Sequence, residues 1–411
     1  MSSEDRTLRS DGAPTRDRRI GVLVGGSGLV GGTLLHHFKT QAAAGGTGRI
    51  EILAPNSKEL SLRSRSDVQS YFERTRPDFI VNCAIASLGS DSELTFEVNC
   101  MGAVYLARAA LELGIPYIHI SSGAVMPSGR DLSEEARLSL SPQMPNYAKG
   151  KLLAELALER MHAQEGLDFT SIRLGIVYGG HDHKIQGFHH LLFAIVGGSM
   201  PALLTTRDAR HSYSNARKLP LLVEHVLDHR EEFTGRAWHF VDSEPVRLAE
   251  LILTLKRLLG VRRPREIYVP YVIARLAIGL LARLARLVSR IGIEARPPAE
   301  AVFLRNFYES QVLSGEKLRR SSFVDPDPEA RLFTELPALI DYYLPRWEHL
   351  NLVEYRSRRP ADRVSPETSE QFARAPEKLL SYVLAEQERP LLQQCPVALR
   401  PGISEEADPD E

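Results

Sequence analysis

The chain has 411 residues, 43% hydrophobic and 25% charged, a globular composition with length for one large domain or two ordinary ones. A formal charge of −1, with no basic stripe interleaved with aromatic residues, argues against nucleic acid as a partner. Cys83, Cys100 and Cys395, the three cysteines, have no metal-ligand spacing and cannot complete a disulfide framework, so a reducing cytoplasm and no metal site are expected.

Residues 1–17 are polar and lack the apolar segment of a secretory signal, so they are expected to be a disordered lead. Ile20 to Val24 is a continuous apolar run, the mark of a buried strand, and Leu29 to Phe38 has helical spacing. "RIEIL" then predicts a strand, "SDVQSYFERT" a helix and "DFIVNCA" a strand. A long helix over "SELTFEVNCMGAVYLARAALELG", ended by Gly114, and the strand "PYIHIS" follow. Such alternation predicts an α/β fold, a parallel sheet with helices on both faces and ligands beyond the C-terminal strand ends.

Gly25, Gly28 and Gly31 sit where the first strand turns into the first helix. A tight turn, close approach of a ligand and helix-on-strand packing all exclude side chains there, and a helix N-terminus favours phosphate. The spacing G-x-x-G-x-x-G is one residue longer than the common dinucleotide fingerprint, and the strand before and helix after favour a pyrophosphate site over an empty turn.

Further along, "IPYIHISSGAV" puts Ser121 and Ser122 just past a strand end, and "YAKGK" puts Tyr147 and Lys151 one turn apart on a helix face. A phenol with a pKa of about 10 is a poor acid-base group at neutral pH. A nearby ammonium is expected to lower that value, and a serine hydroxyl to share the substrate oxygen, so that together they polarise a carbonyl during hydride transfer.

In family order, "GGSGLVGG", "RPDFIVNCA", "FEVNCMGAVYLARAA", "HISSGAV", "YAKGKLLAE", "IRLGIVYGG" and "WHFVDSEPVRLAELI" carry a resemblance from about Arg19 to Val269. The chain resembles an extended short-chain dehydrogenase/reductase, the group of NAD-dependent epimerases, dehydratases and dTDP-4-dehydrorhamnose reductase. The resemblance implies a Rossmann-type doubly wound parallel sheet with a smaller, mostly helical C-terminal substrate domain. It implies Gly25, Ser27, Gly28, Leu29, Val30 and Gly31 at the pyrophosphate, Ala84 beside the cofactor, Asn99 as the family's helix asparagine, and Ser122, Tyr147 and Lys151 as the catalytic set. Tyr147 and Lys151 also count among the cofactor contacts, and Ser122 is preferred over Ser121 by its place before "GAV". A homodimer through the helices of Asn99 and Tyr147 is a further implication.

The departures narrow the chemistry. Gly123 and Ala124 stand where sugar-nucleotide dehydratases carry Asp-Glu, which disfavours loss of water. The rhamnose-type reductase has an aspartate after its threonine, absent here, and Ile176 replaces an asparagine of hexose epimerases. The second strand ends "APNSKE", with no carboxylate before Glu59, so between NAD and NADP the sequence leans to NADP.

The organisation expected is a lead over 1–17, the NAD(P)-binding core over 18–180, a substrate part and helical extension over 181–350, and a mostly disordered acidic tail over 351–411. Within the tail a helix between Glu370 and Glu386 is expected. Within the third part, residues 270–292 form an apolar helix interrupted by Arg275, Arg283, Arg286 and Arg290. Its longest charge-free piece, Leu276 to Ala282, is far short of the ~20 residues of a membrane span. The arginines fall within roughly 80° on the helical wheel, so a helix lying in an anionic membrane interface is expected slightly ahead of ordinary core packing. A lipidic or hydrophobic carbonyl or alcohol met at the inner face of the membrane is then the leading small-molecule substrate. A nucleotide-sugar reductase or epimerase is the alternative, and a non-catalytic NAD(P) sensor ranks last. His181, His183, His189 and His190 are expected to lie in a polar loop rather than at a metal, and Arg207, Arg210 and Arg217 on a solvated surface.

Overall fold

Strand β1 (Arg19–Val24) starts a run of mostly buried strands, because both faces of the sheet they form are covered. The computed structural model describes residues 18–43, 50–198, 200, 202–260, 266–289, 304–353 and 366–384. After β1 come α1 (Leu29–Ala43), β2 (Ile50–Leu53), α2 (Arg65–Thr75), β3 (Phe79–Asn82), α3 (Ser92–Thr95), α4 (Gly102–Leu113) and β4 (Tyr117–Ser122). Next are β5 (Gly129–Leu132), α5 (Asn146–Glu165), β6 (Phe169–Leu174), β7 (Ile176–Tyr178), α6 (Phe188–Val196), β8 (Arg210–His211) and β9 (Tyr213–Asn215). They are followed by α7 (Leu219–Asp228), α8 (Arg230–Phe233), β10 (Arg236–Phe240), β11 (Val246–Arg247) and α9 (Leu248–Leu258). The last elements are α10 (Tyr271–Ser289), α11 (Leu304–Tyr308), β12 (Gln311–Leu313), α12 (Glu316–Arg319), α13 (Leu332–His349), α14 (Pro366–Arg374) and α15 (Glu377–Leu384).

The main sheet has the order β10-β6-β4-β3-β1-β2, with every neighbouring pair parallel. The direction of winding reverses between β1 and β3, which opens a crevice beyond their C-terminal ends. Alternate strand residues serve alternate faces. Leu23, Phe79, Val81, Ile118 and Ile120 pack with Leu34 and Phe38 of α1 and Leu222 and Val226 of α7. Val22, Val24, Ile80 and Tyr117 pack with Phe72 of α2, Leu106 and Ala110 of α4, and Leu158 of α5. This is the doubly wound α/β sheet that the sequence pattern predicts.

Two features depart from the expected elements. The long helix ending at Gly114 (φ 65°) is interrupted by a π-helical turn over Phe96–Met101. Short strands also pair outside the main sheet: β11-β8-β12-β5 form a mixed sheet and β7-β9 a parallel pair, with β5 and β7 contributed from before residue 181.

The contacts divide the chain into two compact units, one ending at Tyr343 and one starting at Leu344. In the tail, the single helix expected from Glu370 to Glu386 is two, because Pro376 has no amide hydrogen to continue a helix after Arg374. The lead over 1–17 and tail residues 354–365 and 385–411, Cys395 among them, lie outside the described residues.

One polar contact inside the core ties α5 to the sheet. Arg173 of β6 and Glu155 of α5 are each 1% exposed and pair at 2.7 Å. Arg173 Nε also donates to both Glu155 oxygens, and its Nη1 donates to the Glu134 carbonyl at 2.5 Å. Removing one partner leaves an uncompensated buried charge, so Glu155→Ala is expected to cost about 3–5 kcal/mol. Denaturant unfolding of the variant checks this, and a loss below ~1 kcal/mol would mean the pair contributes little.

Candidate active site

At the end of β1 the chain turns through Gly25, whose φ of 90° and contacts both exclude a side chain: a Cβ there would stand 2.6 Å from the amide nitrogen of Ala84. Gly31 is pressed as tightly on the Gly25 carbonyl, 2.2 Å from a built Cβ. Gly28 differs. A Cβ on it would meet nothing nearer than the Gly25 oxygen at 3.7 Å, so the fold leaves open the space a ligand would take. Ser27 is exposed, Leu29 and Val30 are half-buried, and α1 begins here with its unpaired amides. Glycine turn and helix N-terminus together fit the pyrophosphate of a dinucleotide.

The other wall of the crevice is the loop after β3. Ala84 N donates to Asn82 Oδ1 at 3.0 Å, and Ala86 N donates to Asn99 Oδ1 at 2.7 Å. Asn99 lies in the π-helical turn and is 1% exposed, with no partner for its Nδ2. Two buried amides thus hold the loop against Gly25, with Ala84 half-buried beside the turn.

Next to β2, Asn56 N donates to Glu59 Oε2 and Lys58 N to Asn56 Oδ1, both at 2.9 Å. Ala54 stands 3.2 Å from a Cβ built on Gly26, so this turn borders the glycine turn. Its one carboxylate is engaged in closing the turn itself.

Ser122 ends β4, and its Oγ accepts from Ala124 N at 3.1 Å. Tyr147 opens α5, half-buried and hydrogen-bonded to Ser122. Ser121 faces the other way, buried at 3% with its hydroxyl unpartnered. Lys151, one turn on from Tyr147, is buried at 1% and donates from Nζ to the Ile120 carbonyl at 2.7 Å. Burial pushes its pKa down to about 8, opposed by the nearby Cys83 thiol and Glu155 carboxylate.

The expectation that Lys151 lowers the Tyr147 pKa is corrected for this site. Burial raises the phenol, the Ser122 hydrogen bond opposes that, and the ammonium is directed to the Ile120 carbonyl instead. Cys83 is also driven up, to about 12, by burial, so its thiol stays protonated near neutral pH.

The structure therefore brings Ser122, Tyr147 and Lys151 together at the C-terminal edge of β4, and gathers Gly25, Gly28, Gly31 and Ala84 at the β1–β3 crevice. A model of the "NAD dependent epimerase/dehydratase family" matches residues 22–210. This segment is a domain of that family. GDP-L-colitose synthase of Yersinia pseudotuberculosis is 23% identical over 46% of this chain and 62% of its own. dTDP-4-dehydrorhamnose reductase of Sinorhizobium fredii is 31% identical over 31% of this chain and 43% of its own. Alignment with these curated relatives thus spans less than two thirds of their length. The solved GDP-mannoheptose C4 reductase of Campylobacter jejuni, with NADP bound, shares the fold at a TM-score of 0.60 and 12% identity, over 80% of this chain and 99% of that one.

Sequence reasoning missed the residues that support this arrangement. Glu155 stands four positions after Lys151, as Lys151 does after Tyr147, so this one stripe carries both side chains and the residue that anchors their helix. Asn82 and Glu134 gave no periodic signal. Elsewhere, His189 is buried rather than in a polar loop: it opens the first turn of α6, pairs with Asp182 at 2.9 Å and contacts the Gly179 carbonyl at 2.8 Å. Among the described residues no group of three or more ligand types could hold a metal ion. Arg217 is paired with Asp327 and Glu335, and Arg207 lies over the Tyr268 ring.

The two glycines separate folding from binding. Gly31→Ala is expected to unfold or grossly destabilise the chain, since its Cβ would overlap backbone. Gly28→Ala is expected to melt as the wild type does while binding NAD(P) about tenfold or more weakly, ~1.4 kcal/mol. Calorimetric titration with both dinucleotides checks this, and unchanged affinity in Gly28→Ala would remove the turn from the binding site.

Proposed function

We propose that the chain is an NAD(P)-dependent oxidoreductase that interconverts a carbonyl and an alcohol through Ser122, Tyr147 and Lys151. The observation that carries this is their convergence at the end of β4, beside a crevice whose glycine turn leaves room for a dinucleotide. The nicotinamide, when bound, supplies or accepts the hydride. In the reductive direction Tyr147 gives its phenolic proton to the carbonyl oxygen, Ser122 donates a hydrogen bond to that oxygen, and Lys151, through its bond to the Ile120 carbonyl, fixes the helical turn that presents Tyr147. Burial raises the Tyr147 phenol, which is therefore protonated in the free site. Gly123 and Ala124 hold no acid or base for dehydration. The set Gly25, Ser27, Gly28, Leu29, Val30, Gly31, Ala84 and Asn99 is proposed as the cofactor contacts, and the turn after β2, with no free carboxylate, leans to NADP.

For the substrate we infer a nucleotide sugar bearing a ketone, because the relatives by sequence and structure are named for sugar-nucleotide reduction or synthesis. A lipidic carbonyl compound is the second reading, favoured by the exposed apolar residues of α10. Dimerisation through α4 and α5 remains a proposal from the resemblance, and light scattering tests it.

Tyr147→Phe is expected to lower kcat by about 10²–10⁴-fold with NAD(P) affinity unchanged, assayed on 4-keto nucleotide sugars and on long-chain ketones. Wild-type turnover by this variant would sink the mechanism. A cellular role that survived in the variant would favour the sensor. Activity that depends on the Lys151 ammonium is expected to fall as pH rises through about 8, where the folded group loses its proton. A pH–rate profile flat up to ~10 would contradict that dependence.

A further inference from the structure

Helix α10 is anchored at its foot and carries apolar residues outward. Leu203 N donates to Ile267 O at 2.7 Å, Val269 N to Leu203 O at 3.0 Å, and the Tyr308 hydroxyl to Val269 O at 2.8 Å. Ala274 is buried at 3%, and the Tyr271 ring meets Tyr308 edge-on at 5.3 Å, so one side of the helix has its packing partner. On the other side, Val272, Ile273, Leu276 and Leu280 are 65%, 57%, 69% and 58% exposed. At about 100° per residue these four occupy one arc of roughly 100°. Single exposed leucines need no explanation, whereas a contiguous apolar arc marks a surface that another phase or molecule covers. Ordinary core packing, the competing expectation for this segment, does not describe these side chains.

The charges select the cover. Arg275 and Arg283 are exposed, Arg275 about 60° outside the Val272 edge of the arc and Arg283 about 20° inside that edge, and no acidic residue occurs from Val269 to Ile293. A second copy of α10 would bring only like charge to this edge. An anionic bilayer satisfies both features, acyl chains for the apolar arc and lipid phosphates for the guanidinium groups. At the foot of the helix a cavity of about 550 Å³ is lined in part by Arg207, Tyr268, Tyr271 and Tyr308. Arginine and tyrosine are side chains that settle where lipid meets water. No helix among the described residues is long and apolar enough to cross a membrane, so α10 would lie on its surface.

We propose that α10 docks this protein on an anionic bilayer, parallel to the membrane plane, with Val272, Ile273, Leu276 and Leu280 at the acyl boundary and Arg275 and Arg283 on lipid phosphate. The proposal is independent of the chemistry at Tyr147.

The test is flotation of the full chain with vesicles of phosphatidylcholine, alone or mixed with phosphatidylglycerol. The variants are Leu276→Gln with Leu280→Gln, and Arg275→Gln with Arg283→Gln. All four side chains are exposed, so the variants should melt as the wild type does. The wild type should float with the anionic vesicles, and high salt should weaken this binding. The leucine variant should lose at least about tenfold in vesicle affinity. The arginine variant should lose about fivefold per residue. A wild type that stays at the bottom of the gradient overturns the proposal, as does a leucine variant that floats as well as the wild type. A dimer that the leucine variant dissolves, with no binding to either vesicle, also overturns it and assigns the arc to a second copy.

Discussion

Tyr147 and Lys151 owe their position to a buried ion pair between two other residues. Arg173 on β6 and Glu155 on α5 are removed from water, and the guanidinium has its donors satisfied by the Glu155 carboxylate and the Glu134 carbonyl. Two desolvated charges are a heavy cost unless geometry and hydrogen bonding are this complete. Glu134 is itself held, accepting from His239 N at 3.0 Å, so α5, β6, β10 and the loop after β5 meet at one point. One helical turn toward the N-terminus, Lys151 bonds the carbonyl of Ile120 on β4, the strand next to β6. Fixed to two adjacent strands, α5 delivers Tyr147 to Ser122.

Desolvation sets the electrostatics of the site more than local charge does. It lowers Lys151, raises Tyr147 and Cys83, and holds His119 far below the usual imidazole range. The phenol is therefore protonated at rest, and Lys151, at about 8, is nearer to changing its charge at neutral pH than the phenol is. The walls are prepared as well: the β3 loop is held by Asn82 and Asn99 before any ligand arrives, so little ordering is left to oppose binding.

Much of this was legible in the chain. Continuous apolar strands, helical spacing and punctuation by Gly114 gave the doubly wound sheet, because both faces of a parallel sheet must be covered. The glycine turn and the four-residue step from Tyr147 to Lys151 were legible because local geometry alone dictates them. The ion pair was not, since Glu155 and Arg173 are joined only by the packing of α5 on β6. The π-helical turn that seats Asn99 carries no composition signal. The direction of the Tyr147 shift was misjudged, because burial is a property of the assembled crevice and outweighs the sign of a neighbouring charge.

The sequence by itself determined the alternation of elements, the place of the glycine turn and the charges that keep residues 270–292 from being a bilayer span. Those are consequences of short-range periodicity and steric limits on the backbone. Only the tertiary structure decided which glycine guards free space, where the lysine spends its hydrogen bond and which side of α10 faces outward. Each of these depends on residues far apart in the chain arriving within a few ångströms of one another, and on the water excluded when they do.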